Sequence, residues 1–221
     1  MHLASFNRYQ AFGIHFGLSL LIFLGLVALV FTVWYPGVLF DADNGWQQAL
    51  LMIAGVDLVL GPLLTLLVYN PAKKSLKMDL SIIAAFQFCA LVGGIYTVNS
   101  ARPVGLYVAF PPAGYEILYA RSLAPETLAA VEKSDQRVFY YQPGAGGSPF
   151  GPERQQDLKP AELKPVDDGG YGDFINRLTN DPIFKKDNTL RVPVGPHKWV
   201  VTDDQGKQIQ VLPESAIKSA S

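Results

Sequence analysis

Cysteine is almost absent from this chain of 221 residues. The single cysteine, Cys89, lies inside an apolar run, so neither a disulfide framework nor a thiolate metal site is available to the polar part of the chain. The three histidines, His2, His15 and His197, do not cluster with other metal-binding residue types. His15 is therefore interpreted as a packed or interfacial histidine, and the sequence predicts no metal site and no cofactor.

Strong charge of one sign is also lacking, since the formal net charge is -1. The densest basic cluster, Lys73, Lys74 and Lys77, lies between two hydrophobic runs, where membrane topology explains it better than nucleic-acid binding does. No Gly-x-Ser-x-Gly, His-Glu-x-x-His or phosphate-binding glycine loop occurs. An intramembrane aspartyl protease needs two neighbouring carboxylates, but Asp57 and Asp79 are separated by roughly 18 Å of helical rise. The sequence therefore predicts a protein that is not an enzyme.

Long apolar runs are what the chain does have. They cover about residues 11–34, 46–69 and 80–99, and each is long enough to cross about 30 Å of hydrocarbon as a helix. No Ala-x-Ala-like cleavage site follows the first run, so we expect it to remain as an anchor. The sequence thus predicts a membrane protein with three transmembrane α-helices in residues 1–102.

The basic residues predict the orientation of these helices. Arg8 precedes the first run and three lysines follow the second, whereas the loop after the first run carries Asp41 and Asp43. Cytoplasmic loops are enriched in lysine and arginine, so the N-terminus is predicted to be cytoplasmic. Three crossings then place residues 103–221 in the periplasm of a bacterial inner membrane.

The polar part of the chain predicts a small α+β extracytoplasmic domain with an antiparallel sheet. A helix is predicted over residues 125–133 and a second near 173–178. Between residues 143 and 172, recurring proline and glycine predict a long loop, either a contact arm or a disordered insert. β-prone segments bounded by turn residues predict strands at 104–110, 115–120, 137–142, 189–194, 198–202 and 208–212.

The carboxylate of Asp57 lies near the centre of the second apolar run. A charge at this depth costs at least a few kcal/mol, so Asp57 should face other protein and serve a function. Asp57 and Gly61 share a helix face, and Pro62 has no amide hydrogen for the carbonyl of Leu58. Asp57, Gly55, Gly61, Pro62 and Gln87 are therefore candidates for an intramembrane notch that binds a partner. The alternative is an internal Asp57 to Gln87 contact, which would leave no partner role.

Four segments between about residues 33 and 119 carry a family resemblance. They are Trp34-Tyr35-Pro36-Gly37, Gly55-Val56-Asp57-Leu58-Val59-Leu60-Gly61-Pro62-Leu63-Leu64-Thr65-Leu66, Asn70-Pro71-Ala72-Lys73-Lys74-Ser75-Leu76-Lys77-Met78-Asp79-Leu80 and Tyr96-Thr97-Val98-Asn99-Ser100-Ala101-Arg102-Pro103. Together these segments resemble the type IV pilin accessory protein family (TfpX/TfpZ and FimB-like proteins). The resemblance implies an inner-membrane, chaperone-like factor that favours the stability or assembly of the pilin subunit, with the pilus assembly machinery as a further contact. It implies no catalytic residues.

Three functions are compatible with these features. The first is a pilin factor, whose bundle binds the pilin transmembrane helix and whose outer domain binds the pilin head. The second is a membrane-anchored periplasmic sensor or scaffold, in which the bundle serves only for attachment. The third is an ion- or proton-coupled conduit through Asp57, which has few helices and a single intramembrane charge. The sequence favours the first and leaves the pilin type and the stoichiometry open.

Overall fold

A computed structural model describes most of the chain in two compact units. The first unit comprises residues 1–33 and 44–99, and the second comprises residues 34–43 and 100–221. The loop between the first two apolar helices thus belongs with the C-terminal domain. The described residues are 7–35, 39, 45–108, 115–148, 151–178, 185–186, 189–194, 198–203, 208–213 and 215–216.

Three helices are long and apolar enough to cross a membrane, which confirms the three predicted spans. We call Arg8–Trp34 the first span, Gly45–Val68 the second and Leu76–Ala101 the third. Asn7 and Gln10 begin the first span with a reciprocal capping box, in which each side-chain oxygen accepts a hydrogen bond from the other residue's backbone amide, at 2.8 and 2.9 Å.

The second span is not a continuous α-helix. Its α-helical parts, Gly45–Ala54 and Gly61–Val68, are joined by a π-helical segment, Gly55–Leu60. The backbone amide of Gly61 donates to the carbonyl of Val56, five residues earlier. In an α-helix the ring of Pro62 would clash with the carbonyl four residues before it, and the wider π turn relieves that clash.

The C-terminal domain contains two four-stranded sheets. The first comprises β1 (Pro103–Val108), β2 (Tyr115–Tyr119), β3 (Val138–Tyr141) and β4 (Leu163–Pro165), in the order β2-β1-β3-β4. Its pairs are antiparallel except for β1 and β3. The chain between β1 and β3 includes both β2 and helix Pro125–Lys133, and a connection of this length allows the two strands to run parallel.

The second sheet is an antiparallel meander in chain order. It comprises β5 (Lys185–Lys186), β6 (Thr189–Val194), β7 (Lys198–Asp203) and β8 (Gln208–Pro213). The three-span and α+β fold class is therefore confirmed. The connections between β1 and β2, residues 109–114, and between β7 and β8, residues 204–207, lie outside the described residues.

The stretch 143–172 contains more regular structure than its composition predicts. It includes two short 3-10 turns, Gln155–Asp157 and Pro160–Glu162, and the edge strand β4. Leu158 and Val166 are fully buried, so this stretch closes the core of the domain. Helix Tyr171–Leu178 follows it, close to where the sequence predicts a helix.

A buried hydrophobic cluster connects the two sheets of the C-terminal domain. Leu106 and Tyr140 come from the first sheet, Val200 from the second, and Tyr171 from the helix that follows the proline-rich stretch. Leu39, from the loop between the first two spans, belongs to the same cluster. The core of this domain therefore needs a residue that precedes the second span in the chain.

Candidate intramembrane site

Five residues at a constant spacing of four form a buried stripe along the second span. In an uninterrupted α-helix this spacing would drift around the axis by about 40° at each step, because a turn takes 3.6 residues. The π segment takes more residues per turn and so counteracts the drift. The interruption therefore keeps the stripe on one face. Its members are Ile53, Asp57, Gly61, Thr65 and Tyr69.

Asp57 lies within the π segment and is only 7% exposed. His15 of the first span is close enough to act on it electrostatically. Among the described residues, none forms a hydrogen bond with the Asp57 carboxyl group. Asp57 is therefore buried inside the bundle, within electrostatic range of His15. Its carboxyl group remains available for a hydrogen bond from outside the described part of the chain.

One helical turn after Gly61, Thr65 of the second span contacts His15 of the first span. His15 Nδ1 lies 2.6 Å from Thr65 Oγ1. Ser19, four residues after His15, is also buried. This agrees with the interpretation of His15 as a packed histidine. Thr65 and Ser19 were not among the site residues predicted from the sequence, although their spacing of four from Gly61 and from His15 could have indicated both.

Gly61 and Gln87 bring the second and third spans together. A Cβ added to Gly61 would lie 1.7 Å from Gln87 Nε2, so the amide of Gln87 occupies the space above the glycine. Pro62, beside Gly61, is buried as well. Gly55 lies apart from these residues, because it is exposed and nothing lies within 4 Å of a Cβ built on it.

An apolar groove lies at the end of the bundle where a short loop joins the second and third spans. We call this connection, residues 69–75 with Lys73 and Lys74, the lysine loop. The volume of the groove is about 330 Å³, and residues from all three spans line it. Groups of three or more metal-binding side chains are absent from the described residues. The lining includes Ala11, His15 and Leu18 of the first span, Thr65 and Tyr69 of the second, and Ala84 and Gln87 of the third.

Comparison with known proteins identifies the relatives of this chain. A family profile described as fimbrial assembly protein FimB matches residues 5–37. The fimbrial assembly protein of serogroups C1 and C2 from Dichelobacter nodosus is 40% identical over 96 residues, which cover 42% of this chain and 72% of the relative. The chain belongs to the fimbrial assembly protein family. The resemblance to FimB-like proteins that the sequence motifs suggested is thereby confirmed.

Other members of the fimbrial assembly protein family are longer than the region they share with this chain. The serogroup E1 and serogroup I proteins of Dichelobacter nodosus are each 40% identical over 96 residues, or 42% of this chain. The matched region spans only 37% of each of these relatives. No solved structure matches the chain.

Proposed function

We propose that this chain assists the assembly of type IV pili as an inner-membrane factor that binds the pilin subunit. Its membership of the fimbrial assembly protein family supports a role in fimbrial assembly. The observation that supports pilin binding is the burial of the Asp57 carboxyl group, which lies within a π-helical interruption of a membrane span. Polar residues at this depth are costly to keep, and π segments occur often at functional sites.

The proposed binding site is the notch around Asp57, Gly61 and Pro62, with Gln87 as its movable cover. The end of a long, flexible side chain fills the space above Gly61, so a polar group of the pilin transmembrane helix can displace it at small cost. Once displaced, the amide would leave the glycine surface open to close helix approach. Gly55 would contribute from the adjacent exposed face as a second small-residue contact.

The C-terminal domain would bind the pilin head and select the subunit. This assignment requires the domain to lie in the periplasm. The positive charges at Arg8, Lys73, Lys74 and Lys77 support that orientation, because lysine and arginine are enriched on the cytoplasmic side of membrane helices. Exchange of residues 34–43 together with 103–221 between two family members should switch pilin preference in co-purification, because both segments belong to one compact unit with a shared core. Unchanged preference would contradict a selective role and favour the alternative of an anchored sensor or scaffold.

The test of the notch is the co-purification of pilin with Asp57 variants from intact membranes. Asp57→Asn keeps the shape and the hydrogen-bonding capacity, so we expect it to retain most of the pilin. Asp57→Leu keeps a branched side chain of similar size but removes the hydrogen-bonding capacity, and should reduce the retained pilin roughly tenfold, as expected for the loss of about 1.4 kcal/mol. Val59→Leu, on an exposed position of the same segment, is the matched control. Equal pilin recovery with all three variants would show that the notch does not bind pilin.

A further inference from the structure

The groove next to the lysine loop has the dimensions of a site for a chain-like small molecule. Its volume of about 330 Å³ lies at the lower end of the range for small-molecule sites, roughly 300–1,000 Å³.

The depth of the groove corresponds to part of one bilayer leaflet. On the first span its lining runs from Ala11 to Leu18, a rise of roughly 10 Å, compared with about 30 Å for the whole hydrocarbon core. On the third span it runs from Leu80 to Gln87, the same number of residues. Both stretches begin within the first turns of their helices, so the groove ends close to the membrane surface.

Helical spacing places two cations, Arg8 and Lys77, at the surface end of this groove. Arg8 precedes Ala11 by three residues and His15 by seven, which places it on the groove-lining face of the first span. Lys77 precedes Leu80 and Ala84 by the same spacings on the third span. Both side chains are exposed, and neither forms an ion pair within the described part of the chain. The nearby carboxylate of Asp79 is paired with Lys73 at 2.6 Å.

We infer that the groove holds one acyl chain of an anionic phospholipid whose phosphate lies between Arg8 and Lys77. The walls are apolar, as an acyl chain requires, and the charges at the rim are complementary to a phosphate group. Each cation near a membrane surface strengthens the binding of anionic lipid, by roughly fivefold in affinity. This inference concerns a lipid and does not depend on the binding of pilin at the notch.

The test measures lipid binding to the full chain, purified in mild detergent and stripped of lipid, by native mass spectrometry. Titration with phosphatidylglycerol should give one tightly bound lipid, and phosphatidylethanolamine should bind more weakly. The double variant Arg8→Ala/Lys77→Ala should weaken phosphatidylglycerol binding by roughly 30-fold. Lys74→Ala, a charge change in the loop, should leave affinity close to that of the wild type. If Lys74→Ala weakens binding about fivefold, the share that the double variant assigns to each cation, only diffuse surface charge attracts the lipid and the site is refuted.

A second pair of variants tests the groove and leaves the charges unchanged. Ala84→Phe fills the groove and should abolish the tightly bound lipid, whereas Ala85→Phe, on the neighbouring position outside the lining, should not. Equal lipid binding by these two variants would overturn the inference. A photoreactive residue at position 84 should label phospholipid in native membranes. Labelling of another protein chain there in place of lipid would show that the groove is a protein docking site.

Discussion

The membrane bundle and the C-terminal domain of this protein are organised in opposite ways. In the bundle, many large apolar side chains are exposed, among them Leu21, Leu67 and Phe86, while Asp57 and Thr65 are buried. In the C-terminal domain, aliphatic and aromatic side chains fill the interior. Lipid solvates apolar groups, so the hydrophobic effect does not drive the spans together. The two regions therefore depend on different interactions, which single substitutions can separate.

The largest expected effect comes from a cavity in the C-terminal domain. Leu106 is 0% exposed, so Leu106→Ala should reduce the free energy of unfolding of this domain by about 2–5 kcal/mol. Leu67→Ala in the second span is the matched control, because Leu67 is exposed on the face that lipid would cover. Denaturant unfolding followed by aromatic fluorescence measures both. A similar loss for the two variants would contradict the distinction between the regions.

An intermediate effect is expected from alkaline pH, again in the C-terminal domain alone. Burial raises the pKa of Tyr171 to about 12, compared with about 10 in an unfolded chain. Between these values the unfolded chain loses a proton that the folded chain retains, so stability is highest below pH 10 and falls as pH rises. Burial also raises the pKa values of Tyr107 and Tyr140. Between its unfolded and folded pKa values, each such tyrosine lowers the free energy of unfolding by about 1.4 kcal/mol per pH unit.

Tyr171→Phe isolates the contribution of that hydroxyl group. The variant should show a flatter decline of unfolding free energy between pH 10 and pH 12, measured by denaturant titration at a series of pH values. Tyr96→Phe is the control, since Tyr96 lies exposed on the third span. An identical slope in wild type and Tyr171→Phe would show that other groups cause any alkaline loss.

The smallest effect is expected from the contact between the first and second spans. Thr65→Val removes the hydroxyl partner of His15, and hydrogen bonds between membrane helices contribute about 0.6 kcal/mol on average. Thr32→Val is the control, because the Thr32 hydroxyl donates to the carbonyl of Ala28 within its own helix. Reversible unfolding in detergent mixtures can resolve the difference. A loss above about 2 kcal/mol would show that this contact organises more of the bundle than one hydrogen bond.

The features predicted from the sequence are those that depend on local patterns. The lengths of the apolar runs predict the three spans. Pro125, a residue favoured in the first turn of a helix, predicts helix Pro125–Lys133, whose observed bounds match the predicted ones. Alternation and turn residues locate most of the strands. Each of these signals lies within a few residues of the element it predicts.

The features that the sequence left unpredicted depend on contacts between distant residues. The partnership of His15 and Thr65 spans fifty residues. The π segment follows from Pro62, but the motif alone gives only a missing amide hydrogen and not the way in which the helix adapts to it. The sequence offered a contact between Gln87 and Asp57 as one alternative, yet the Gln87 side chain lies over Gly61, in space that a Cβ on that residue would fill.

The position of Leu39 has a consequence for how the protein is made. The ribosome releases this leucine long before the strands that surround it, and a membrane insertion step separates the two events. The loop around residue 39 and the chain after residue 100 must emerge on the same face of the bilayer for the cluster to close. A fragment that starts at residue 100 would have a cavity in its core at the position of Leu39. The C-terminal domain should therefore be produced with residues 34–43 attached as a tethered peptide.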